Sequence, residues 1–184
     1  MQYIIYYKYI LFFCLVLVFT SCENKIEEIN RVTSVYSSLP ALSNKNIELV
    51  YTDSGNPVIK LKAPLLNRFD NENPIVEMPK GVNVLFYEDN GSVKSSINAK
   101  YGVIYESKNI IEVRNNVVVI NSKGEKLETE YLIWEQDKQV ISSNVFVKVS
   151  TGGEVIYGDG FVADQEFEKW EVIKPKGIIA IKNQ

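Results

Sequence analysis

Carboxylates spaced closely enough for general acid–base work, Glu128 with Glu130 and Asp159 with Asp164, are where catalysis would first be sought in this 184-residue chain. A glycosidase needs such a pair facing a cleft. Glu128 and Glu130, however, alternate with Leu127, Thr129 and Tyr131, which puts both acids on the solvated outer face of one strand. The chain has no histidine, so Ser-His-Asp and Cys-His units are excluded, as is every imidazole metal ligand. In YGDGFVA, Gly158, Gly160 and Ala163 have the spacing of a dinucleotide fingerprint. That motif must open a helix whose N-terminus holds the pyrophosphate, whereas DQEFEKWEVIKPKG continues with turn residues, strand formers and a proline. No G-x-x-x-x-G-K-[ST] loop is present, so any energy the protein uses must come from another chain. Asn90-Gly91-Ser92 fits a glycosylation acceptor and, better, a tight turn. These residues predict no enzyme, no catalytic centre, no cofactor and no metal site.

The two cysteines, Cys14 and Cys22, lie near the N-terminus. Lys8, an apolar run from Tyr9 to Phe19, and Thr20-Ser21-Cys22 follow the charge, core and small-residue order of a secretory signal. The run is short for a membrane span, which wants roughly 20 apolar residues. Small residues before Cys22 resemble a lipoprotein cleavage site, with Phe19 where leucine is more usual; Phe13 spoils the same site at Cys14. Residues 1–21 are therefore expected to leave as a signal peptide, with Cys22 lipidated, and an uncleaved anchor helix is the alternative. Either way the remainder lies outside the cytoplasm. With Cys14 removed, no intramolecular disulfide can form, and stability must come from a buried core. The formal charge of −3 becomes one unit more negative without Lys8. With no basic cluster, nucleic acid is not an expected partner.

The elements that must position any site are strands. Residues 22–45 form a polar tether in which Ile26, Ile29, Val32 and Tyr36 permit one short helix or a leash. From residue 46 to 184 the pattern has period two: IELVY and VIKLKA around a Gly-Asn-Pro turn, then Val82-Val84-Phe86 before EDNGS, and later runs punctuated by NSKGE and STGGE. Tyr101, Tyr131 and Phe161 recur 30 residues apart, which predicts a repeated hairpin. The apolar faces of such hairpins make a core or a ligand groove, and the residues alone leave both open.

The stretches YTDSGNPVIKLKAP, EMPKGVNVLFYEDNGSVKSSINAKYGVIY, GEKLETEYLIWEQDKQVISSNVFVKV and IYGDGFVADQEF resemble the LptC family, the membrane-tethered periplasmic component of the lipopolysaccharide exporter. The resemblance covers roughly residues 48–177 and is most specific in L-x-T-E-x-L-x-W, from Leu127 to Trp134, and the later G-x-G-F. It implies an all-β, antiparallel β-jellyroll or β-taco with an open hydrophobic groove between two sheets. Lipid A acyl chains of lipopolysaccharide would then lie against Ile59, Leu61, Val82, Val84, Ala99, Tyr101, Val117, Val119, Thr129, Tyr131, Val145, Val147 and Phe161, with Lys60, Lys100, Glu128, Glu130 and Lys148 outside. It further implies a non-enzymatic conduit anchored at the inner membrane, filled by an ABC transporter and emptied into an LptA-type periplasmic bridging protein. Ile178, Ile179, Ala180 and Ile181 would be the partner-strand edge. The alternative is an outer-membrane or surface lipoprotein binding glycan or protein, marked by Trp134 and Trp170 on a loop face.

Overall fold

The computed structural model describes residues 39–180, and apart from two single 3-10 turns its regular elements are all strands. In chain order they are β1 (Leu42–Asp53), β2 (Asn56–Phe69), β3 (Ile75–Met78), β4 (Val82–Tyr87), β5 (Val93–Ala99), β6 (Tyr101–Tyr105), β7 (Ile110–Asn121), β8 (Lys126–Glu135), β9 (Val140–Ser143), β10 (Val147–Ser150), β11 (Glu154–Gly158), β12 (Phe161–Asp164), β13 (Trp170–Val172) and β14 (Pro175–Ala180). β1 begins before residue 46, because Leu42 to Lys45 pair with Arg68 to Leu65. Residues 1–38, which hold Cys22, the signal and most of the expected tether, lie outside the described residues, as does Ile181.

All fourteen strands belong to one antiparallel sheet, and that sheet is folded over on itself. Residues 59–62 of β2 pair with β4, whereas residues 67–69 pair with β3. The first part of β7 pairs with β6 and its last part with β5. Likewise β8 leaves β10 for β9 along its length. The result is two leaves sharing β2, β7 and β8, with β1 running along β2: the first carries β4, β5, β10, β11 and β14, the second β3, β6, β9, β12 and β13.

The corner between the leaves follows from backbone chemistry. Asn46 is left-handed at φ 51° and stands opposite Pro64, which has no N–H to give to the ladder. In β7, Asn115 and Asn116 have φ of 64° and 53°, a region asparagine tolerates better than most residues, and they interrupt the register between Arg114 and Val117. Their polar groups are satisfied locally: the Asn115 carbonyl accepts the Lys100 N–H at 3.0 Å, and the Asn116 N–H donates to the Glu130 carboxylate at 3.1 Å. Gly81, at φ 99°, stands where any Cβ would come within 3.0 Å of the Ala99 carbonyl oxygen.

Away from the corner, the first leaf ends in hairpins. Ser54 and Gly55, both with positive φ, form a two-residue turn of the type that matches strand twist. Asn56 and Pro57, expected in a Gly-Asn-Pro turn, instead begin β2, with Pro57 opposite Thr52. The second leaf ends in the 3-10 turns Glu106–Lys108 and Gln136–Lys138, each followed by a left-handed residue, Asn109 and Gln139. The Gln136 N–H bonds the Asn109 carbonyl and the Gln165 N–H bonds the Gln139 carbonyl, so successive copies of the repeat stack turn upon turn.

Candidate lipid-binding groove

Residues directly opposite in a ladder point to the same face. Leu61, Val84, Ile97, Val119, Leu127 and Val149 therefore form one inward row across the first leaf. Val76, Ile104, Ile111, Trp134, Ile141 and Ala163 form its counterpart across the second. The leaves meet through these rows, and at the β1 end they do not close. A cavity of about 370 Å³ remains there. Ile59, Leu61, Val82, Val84 and Ile97 line it from the first leaf; Met78, Ile111, Val113, Leu132 and Trp134 line it from the second. Tyr51 and Gln136 stand on its wall as well, and Gln136 is the single polar lining residue apart from the Trp134 and Tyr51 tips. Among the described strands β1 is an edge strand paired with β2 alone, and Leu49, Val50 and Tyr51 are exposed beside the opening.

Toward β14 the space between the leaves is solid. Val117, Val119, Leu127, Val147, Val149 and Phe161 are buried there against Ile141 and Phe167. Thr129 is buried too, and its hydroxyl donates to the Phe146 carbonyl at 2.9 Å. Of the residues expected to line the groove, Ile59, Leu61, Val82 and Val84 therefore lie on the cavity. Val117, Val119, Thr129, Val147 and Phe161 lie in packed core, and Ala99 packs half-buried against it.

Three expected lining residues are elsewhere. Tyr101 and Tyr131 are on the outer face, because alternation slips by one residue at the corner. In β8, Leu127 and Thr129 point inward, Glu130 and Tyr131 both point outward, and Leu132 and Trp134 resume the inward set. At Lys100 the same slip follows Ala99 and delivers Gly102 rather than Tyr101 to the interior. Tyr101 and Tyr131 instead flank Arg114, whose guanidinium lies 5.9 Å and 5.7 Å from their ring centroids and is paired with Glu112. The Tyr101 hydroxyl donates to Glu77 at 2.7 Å; burial, then that bond, pushes its pKa up to about 12. Burial, then the charge of Glu112, also raises that of Tyr131. Phe161 does point inward, so the 30-residue coincidence joins two equivalent tyrosines to a residue one position out of step. Val145 is the third: it lies in the link between β9 and β10, where the chain changes leaf, and is 37% exposed.

The outer face is held by charge. Glu128 accepts from Lys126 at 2.8 Å and Lys148 at 3.0 Å, and these two bonds hold its carboxyl below the usual range. Lys60 pairs with Glu48 at 2.9 Å. Lys100 and Glu130 are exposed at the corner. Sequence reasoning missed Met78, Ile97, Ile111, Val113, Leu132 and Trp134 as lining residues. The signals that reveal them are the corner residues Pro64 and Asn115-Asn116, after which the inward phase must be read afresh.

A folded-over antiparallel sheet with an apolar space open along one end is a β-jellyroll. The family model described as "Lipopolysaccharide-assembly, LptC-related" matches residues 9–175, and the chain belongs to the LptC family. Membership carries a role in lipopolysaccharide transport, as a periplasmic component of the envelope export system. No curated protein matches the chain. Among the described residues no helix is long and apolar enough to cross a membrane.

Proposed function

We propose that this protein is a lipid-anchored, non-enzymatic conduit that takes lipopolysaccharide from an inner-membrane ABC transporter and hands it to a periplasmic bridging protein. The observation that carries the reading is the apolar cavity between the leaves, open beside β1. Burial of one methylene is worth about 0.8 kcal/mol, so a chain of about 12 costs ~10 kcal/mol to expose to water. A groove of matching polarity replaces that barrier with nearly level steps, and such a task needs no catalytic group. Anchoring is assigned to the lipidated Cys22, with residues 1–21 as signal and the segment from 22 to the start of β1 at Leu42 as tether.

Transfer onward is assigned to β14, which pairs with β11 on one side and has no partner on the other among the described strands. Such an edge can receive the next module's strand and so continue both sheet and groove. The alternative of a glycan- or protein-binding surface lipoprotein loses its mark: Trp134 is buried in the groove wall, and Trp170 packs on Phe161 with its indole N–H on Glu125. The test is photo-crosslinking in cells. A reactive side chain placed at Leu61 or Val84 is expected to capture lipopolysaccharide, and one at Tyr101 or Lys148 is not. Equal capture from both faces removes the reading. Mass spectrometry of the mature N-terminus checks the anchor, and an unmodified chain beginning at Met1 refutes it.

A further inference from the structure

We propose that the hairpin joining β12 to β13, residues 164–170, is a gate across the groove, which holds a single acyl chain until that hairpin swings out. The inference rests on the lipid-carrier reading and adds to it a capacity and a moving part. A water molecule's share of the liquid is about 30 Å³, and a methylene is of similar size, so the cavity admits about 12 methylenes, one chain. Lipopolysaccharide carries several.

Beyond the cavity, toward β14, the packed space between the leaves contains an aromatic plug whose rings do not themselves line the cavity. The rings of Phe167 and Trp170 stack on Phe161 with centroids 6.2 Å away in each case, and only about 20 Å³ is left free beside them. The plug faces Val119, Leu127 and Val149 of the first leaf, so it separates the open cavity from β11 and β14. Cargo travelling toward the C-terminal edge has to displace it.

The plug is built to be displaced. Phe167 sits in a turn with φ 55°, a left-handed backbone that a bulky side chain rarely adopts. Asp164 shapes that turn by accepting the N–H groups of Glu168 and Lys169 at 2.9 and 3.1 Å. No strand pairing joins residues 164–170 to the first leaf. The polar ties across the rim run through side chains: Lys94 to Glu166 at 2.7 Å and Glu168 at 3.0 Å, the Asn121 amide to the Phe167 carbonyl at 3.1 Å, and the Trp170 indole N–H to Glu125 at 2.9 Å. Both glutamates bound by Lys94 are about half exposed, while the Lys94 side chain itself is only 14% exposed. Pairs at a solvent edge are weakened by salt and hold only modestly, whereas the strands on either side are fixed by ladders. A plug held inside by rings and at the rim by ion pairs is a latch.

The test counts chains. The full-length protein is titrated with tetradecanoic acid and bound chains are counted by native mass spectrometry. Wild type is expected to take one chain. The variant Lys94→Met/Glu125→Ala cuts the latch from the first leaf, and Glu166→Gln/Glu168→Gln cuts it from the second; both are expected to take two or more. Because the variants act from opposite sides, a shared gain cannot come from the misfolding of one. Equal counts in all forms, or two chains in wild type, would overturn the gate. No uptake by any form would instead remove the lipid-carrier reading, and the gate with it.

Discussion

The ring of Phe86 on the first leaf meets the ring of Trp134 on the second edge-on, with centroids 5.6 Å apart and planes at 66°. Trp134 lines the cavity while Phe86 lies in the buried core beside it, and the contact joins residues that no ladder pairs. The indole nitrogen of Trp134 is buried without a hydrogen-bond partner. Truncation of a buried tryptophan to alanine costs about 3–5 kcal/mol, and Trp134→Ala is expected near the lower bound because part of its surroundings is already empty. Trp134→Phe keeps the ring contact and removes an unpaired donor, so it is expected to cost less than half as much. Urea unfolding compares the two, and equal losses would mean that the edge-on contact contributes nothing.

Gly158 and Gly160 owe their presence to packing. A Cβ on Gly158 would lie 2.3 Å from Val172 Cγ1 and 2.8 Å from the Ile173 carbonyl oxygen. Asp159 and Ile173 bond across this crossing, as do Ile173 and Gly160. Overpacking typically costs about 1–3 kcal/mol, and Gly158→Ala is expected at or above that range. A thermal midpoint unchanged by the substitution would show that the crossing has slack.

Glu128 links stability to pH. Its folded-state pKa is depressed, first by Lys126 and then by Lys148. The contribution is therefore present above the unfolded value of about 4.3 and is lost as pH falls through the lower folded value. Glu128→Gln is expected to flatten the decline in stability below about pH 4. The effect is small, because the pair is partly solvated. Identical acid limbs for the two proteins in denaturation curves would dismiss the linkage.

Truncation after Pro175 removes the rest of β14 and leaves β11 as the new edge. The shortened protein is expected to remain folded and to co-purify with the inner-membrane transporter while losing the bridging protein. Paired pull-downs decide this: retained bridging-protein binding rules out docking through β14, and global unfolding assigns the strand to the core.

The strands and most turns were legible because period two survives within each leaf, as in Val82, Val84 and Phe86 or Val147 and Val149. The groove was legible only up to the corner. Continuing the alternation of Leu127 and Thr129 leads to Tyr131, and that of Ala99 leads to Tyr101, whereas the backbone loses one step at Glu130 and at Lys100. Left-handed asparagines at 115 and 116 are compatible with an ordinary bulge as well as with a fold line. Only the pairing of β7 with both β5 and β6 distinguishes them. Val145 was misplaced for a related reason: strand formers fill the link where the chain changes leaf. The latch left no local signal, since Lys94 finds its glutamates 72 positions or more along the chain.

Because β2, β7 and β8 run uncut from one leaf into the other, the molecule has jaws with no pin. Their separation has to be taken up by flexure along a spine of continuous backbone. Resistance should then build gradually with the girth of whatever lies between them, as in a leaf spring, so chains of differing bulk meet a graded restoring force instead of a fixed bore.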